Sequence, residues 1–158
     1  MNRPTVRHAA GAGALSGFVA TLPMTIVMLL LQRLLPDREQ HPLPPEQMAD
    51  QLASASSKVK RTTTEVRRIV AIPLHFGFGA VAGVLFGVSV GRTRVSPVAS
   101  AIPFALLVWV VSYLGWVPAA RILPPATEQP MGRNALMIVA HVVWGAVTGA
   151  CFRAFTSR

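Results

Sequence analysis

The sequence predicts an all-α fold: a polytopic membrane four-helix bundle made of two parallel two-span repeats, with a short amphipathic helix in the first loop. Three observations carry this. Charged residues are only 13% of the 158 while hydrophobic ones reach 52%, and a soluble domain carries about 25% charged residues. The charges are also segregated, leaving four runs free of Asp, Glu, Lys and Arg at 9–31, 69–91, 95–120 and 134–152. Each run has the roughly 17–25 residues that a helix needs to cross a bilayer core. Lastly, HFGFGAVAGVLF at 75–86 and HVVWGAVTGACF at 141–152 share one pattern: His, three residues, Gly-Ala-Val, one residue, Gly, two residues, Phe.

The elements follow in order within one integral membrane domain, 1–158. The first span, about 9–32, has Arg3 and Arg7 before it, as a secretory signal would. Its apolar part is too long for one, and it ends in Leu-Leu-Leu-Gln-Arg rather than at a small-residue cleavage site, so it is read as a retained span. The loop after it runs through PLPP at 42–45, and prolines suit the first turn of a helix. EQMADQLASASSK then sets Met48, Leu52 and Ala55 on one face, an amphipathic helix over about 45–57 at the membrane surface. Thr62 to Glu65 reads as a capping box that starts the second span, about 66–91. The third and fourth spans are expected at about 96–120 and 133–155. Pro23, Pro73 and Pro103 should bend the first three spans. Tyr113 and Trp116, near the end of the third, suit an interfacial aromatic belt, whereas Trp144 lies too deep for that and packs.

The repeat extends beyond the twin motifs. A shift of 80 residues brings Pro23 onto Pro103 and Leu43-Pro44-Pro45 onto Leu123-Pro124-Pro125; beyond that the first half holds 14 extra residues, and His75 falls on His141. Each half is then span, Leu-Pro-Pro turn, span. Two spans per unit keep both units in one orientation, so the symmetry expected is a pseudo-two-fold along the membrane normal.

Residues four apart share a helix face. Gly13 and Gly17, Gly79, Gly83 and Gly87, and Gly145 and Gly149 therefore make smooth stripes on three spans. In lipid, helices gain little from apolar burial against one another, and small residues let backbones approach closely, so these glycines are expected to pack the helices. His75 and His141 each stand four residues before a stripe and share its face, which points them into the bundle. From Arg68 to His75 is seven residues and from Arg133 to His141 eight. At about 1.5 Å per residue both histidines lie a similar distance inside one membrane surface.

An ionisable residue at that depth is a functional candidate. Three readings of the His75/His141 pair stay open: interhelical hydrogen bonding, proton or small-solute conduction near neutral pH, and ligation of a haem b iron across the bundle. Otherwise no cofactor is expected. A zinc site would lack the third protein ligand that catalysis needs, and Cys151 stands alone within a span, read as packing. No phosphate loop, dinucleotide fingerprint or nucleophile elbow occurs, and the reading is not an enzyme. The net charge of +9 comes from 15 Lys and Arg placed at span ends. They suit anionic lipid headgroups, and no module is large enough to bind nucleic acid. The expected partners are the bilayer and either a second copy of the chain or a larger membrane complex. Basic residues leave orientation open: six on the face holding both termini, nine on the other, seven of those nine in the long first loop.

The segment LPPATEQPMGRNALMIVAHVVWGAVTG, with PLPPEQ at 42–47 and SYLGWVP at 112–118, resembles uncharacterised bacterial four-span proteins of unknown function. It is more loosely similar to the YagU-like inner-membrane family, which shares Pro-Pro turns and a His-x-x-Trp element matched here by His141 and Trp144. The first loop is shorter here than in that family. The resemblance implies a bacterial inner (plasma) membrane location and a structural, regulatory or accessory role, and supplies no catalytic residue.

Overall fold

The computed structural model describes residues 5–36, 39, 64–91, 93 and 95–157, with 64–70 as backbone only. The expected surface helix at 45–57 and the first Leu-Pro-Pro turn lie outside the described residues. Every regular element among them is helical, and four helices are long and apolar enough to cross a membrane.

Helix α1 spans Val6–Gln32, and the Thr5 hydroxyl at its N-cap accepts from the His8 amide at 3.3 Å. Pro23 sits inside it. Proline removes one helical donor, and the hydroxyls on either side stay on their own helix: Thr21 donates to the Gly17 carbonyl at 2.8 Å and Thr25 to that of Thr21 at 2.7 Å. Helix α2 spans Thr64–Val90 around Pro73. Helix α3 begins at Pro97, where a missing amide costs nothing, and runs to Val111 around Pro103.

It continues through a π-helical turn, Ser112–Trp116, in which Gly115 leaves helical geometry at φ −112° and ψ −105°, into a last turn, Val117–Ala119. The exit is a Schellman motif: Ile122 donates to the Val117 carbonyl at 3.1 Å and Arg121, at φ 57°, to that of Pro118 at 2.9 Å. Glycine usually takes that left-handed position, so the sequence carried no sign of this cap. Helix α4 spans Met131–Thr156. Asn134 ties its start to the preceding loop by donating to the Ala126 carbonyl at 2.7 Å.

Helix α1 packs along α2 on one side and α4 on the other, α3 packs on α4, and α2 touches α3 only lightly. The two ends of the bundle differ. At the end holding the chain termini, Phe86 and Phe152 meet edge to face at 5.5 Å and Phe104 closes on Phe86 at 5.4 Å, among Ala9, Ala12 and Ala101. At the other end a larger core gathers Met24, Met28, Tyr113, Leu123, Met137 and Trp144. The outward faces are apolar, with Leu15, Phe18, Leu22, Ile26, Val81, Leu85, Leu107 and Leu114 exposed. Water would not tolerate so continuous an apolar surface on a lone chain, whereas lipid does.

Candidate intramembrane cavity

The glycines fix how near the helices come. A Cβ on Gly13 or Gly83 would run into the other's carbonyl oxygen, and one on Gly17 into that of Gly79. Gly87 meets the Ala9 carbonyl in the same way. On the other side of the bundle, a Cβ on Gly145 would come within 2.7 Å of the Ala101 carbonyl, and one on Gly149 within 2.9 Å of the Pro97 carbonyl. Backbone thus lies on backbone along α1–α2 and along α4–α3.

Gly17 has a second task. Its carbonyl accepts both from Thr21 and from the Trp144 indole N–H of α4 at 3.0 Å. Since Gly79 has no side chain, α2 can lie over this junction of α1 and α4, where a Cβ would run into the Thr21 hydroxyl. Trp144, expected to pack, also makes the bond that fixes α4 against α1.

Where α2 and α3 stand apart, a cavity opens. All four helices and Leu123 of the following loop wall it, and its empty volume is about 770 Å³ including the part open to the outside. Both His75 and His141 line it, together with Ser112 and Tyr113 of α3. Phe78 of α2 and Trp116 of α3 stand at the gap, their rings 6.0 Å apart and 39% and 37% exposed. The twin motifs therefore place their histidines on the cavity and their phenylalanines at the closed end.

Four polar groups set its chemistry. His141 Nδ1 lies 2.7 Å from the Met137 carbonyl one turn earlier. A carbonyl only accepts, so Nδ1 carries the proton there, and Nε2 of the neutral ring is left as an acceptor. That ring stands perpendicular to the ring of Tyr113, with centroids 6.4 Å apart. Tyr113 is 5% exposed, and among the described residues its hydroxyl has no hydrogen-bond partner; nor does the buried Nε2 of His75. The Ser112 hydroxyl accepts from the Trp116 indole at 3.2 Å.

Two of these residues stand elsewhere than expected. Tyr113 faces the cavity instead of the membrane surface. Arg133, used above as a headgroup marker, is 6% exposed, near enough to Tyr113 to interact with it electrostatically. Among the described residues no cluster of three His, Cys, Asp or Glu side chains could hold a metal ion.

A family model described as "Protein of unknown function (DUF1440)" matches residues 14–150, and the chain belongs to that family. The match takes in every residue that lines the cavity. No curated protein and no solved structure matches the chain.

Proposed function

We propose that this member of the family is a structural, regulatory or accessory protein of a bacterial inner membrane that works by holding a small molecule in its cavity, without catalysis. One observation supports the reading above others: one cavity, walled by all four helices, gathers both histidines and a tyrosine whose hydroxyl has no hydrogen-bond partner among the described residues. Ligand sites are mostly apolar pockets with a few polar groups, and a buried polar group without a partner carries a desolvation cost that a bound molecule would relieve. The inner-membrane assignment rests on the likeness to the YagU-like family. Assembly with a second copy or a larger complex belongs to the same proposal.

The test is a thermal melt of the purified protein with and without a total lipid extract of a bacterial inner membrane. Ala82 lines the cavity, and Ala82→Phe should fill it. Binding at about 100 times Kd adds ~2.7 kcal/mol, which at about 2–4 °C per kcal/mol raises Tm by some degrees. The extract should raise the wild type by that much more than Ala82→Phe. Equal shifts in both would sink the reading.

A second reading makes the histidine pair a path for protons or a small solute, favoured by both imidazoles lining one cavity. Flux into proteoliposomes that survives His75→Ala and His141→Ala together excludes it. The bis-histidine haem reading predicts a Soret band when purified protein is supplied with haem, and its absence ends that reading.

A further inference from the structure

We propose that the cavity takes a quinone-type molecule from the bilayer: a flat ring bearing carbonyl or hydroxyl oxygens, with an apolar tail that leaves between α2 and α3. This rests on the ligand-holding reading above and names the class of ligand.

The polar groups argue for a neutral head with oxygens on two sides. Tyr113 brings a hydroxyl with no partner, nine-tenths buried, that can donate to a carbonyl. His141 brings an acceptor, because its other nitrogen is committed to Met137. His75, on α2, brings a buried nitrogen that donates or accepts according to tautomer. A ring carbonyl can take the tyrosine proton, and the reduced form's hydroxyl can donate to an imidazole. One site thus suits both states of such a ring. Charged headgroups fit worse: no Asp, Glu, Lys or Arg is among the described residues that line the cavity, and an unpaired charge there would be costly.

The apolar lining argues for a flat ring. Trp116, Tyr113 and Trp144 offer aromatic faces or edges, and Met24, Met28 and Met137 offer thioethers, which make favourable contacts at ring edges. The opening argues for a ligand that arrives from lipid. Cavity-lining residues of α2 and α3 meet at a seam where the two spans barely touch, and Phe78 and Trp116 are partly exposed there with their rings 6.0 Å apart. A tail could stay in the bilayer while the head enters.

The experiment uses the full chain in nanodiscs of synthetic phosphatidylcholine, titrated with a short-tailed benzoquinone while tryptophan fluorescence is read. Trp116 and Trp144 line the site, so binding should quench them saturably. Tyr113→Phe keeps the ring and removes one hydrogen bond, which should weaken binding about 5- to 10-fold. His75→Leu should weaken it similarly, and Ala82→Phe should abolish it. Quenching that rises linearly without saturation in the wild type overturns the proposal. So does unchanged affinity in both Tyr113→Phe and His75→Leu, or equal affinity for a cyclohexane bearing the same tail. If the benzoquinone fails while the lipid extract still stabilises the wild type more than Ala82→Phe, only the ligand class falls.

Discussion

The Trp144 indole and the Tyr113 hydroxyl are opposite cases of a polar group in a membrane helix. The first has a cross-helix partner in the Gly17 carbonyl, and the second has none. Trp144→Phe keeps a ring and loses the bond, which in lipid is worth about 0.6–1.7 kcal/mol; Tm in detergent should fall by a few degrees. Tyr113→Phe removes an unsatisfied buried hydroxyl, so the ligand-free protein should melt unchanged or slightly higher. A large loss of stability in Tyr113→Phe would show that the hydroxyl has a structural partner. The histidines were legible because each stands one turn before a glycine stripe, which marks an inner face. Tyr113 was not. Its place near a span end suggested the surface, but the π turn, closed by Val117 N–H donating to the Ser112 carbonyl, holds more residues per turn. Tyr113 and Val117, four apart across it, therefore both keep to the buried side. Arg133 was missed for another reason: a charge at a span end reads as an anchor, and only its neighbours reveal that it turns inward.

At the scale of the helix pair, the four-residue glycine spacing was enough to find the packing faces but not which helices they join. Contacts supply that: Gly13 and Gly17 meet Gly79, Gly83 and Gly87, while Gly145 and Gly149 meet the alanine and proline positions of α3. Since backbone is the obstacle, a side chain at Gly83 or Gly149 has nowhere to move. Gly83→Leu and Gly149→Leu should each cost about 3 kcal/mol or more, lowering Tm in detergent by roughly 10 °C. Unchanged melting in both variants would contradict helix packing through these faces. Gly11 and Gly77 make a control, because a Cβ there meets nothing within 4 Å. Gly77→Ala should leave Tm unchanged or raise it, helix propensity alone favouring alanine by up to ~1 kcal/mol.

For the whole molecule, the charge-free runs made the four-helix plan legible, since few other folds accept so much apolar surface. The cavity was not legible, because it depends on which helices pack: α4 packs along α1, whereas α2 touches α3 only lightly. A strict two-fold would pack α2 on α3 as α4 packs on α1. The alignment sets Phe78 where the second half has Trp144. Trp144 donates its N–H to α1, whereas phenylalanine has none to offer α3, and Phe78 stands half exposed beside Trp116. Phe78 and Trp116 line the same space as His75, Tyr113 and His141. The central claim is that this space holds a small molecule. Native mass spectrometry of protein freshly released from its own membrane tests it most directly, with Ala82→Phe measured alongside. The account predicts one bound small molecule per wild-type chain and none on Ala82→Phe; bare wild-type protein, or the same adduct on both, would contradict it.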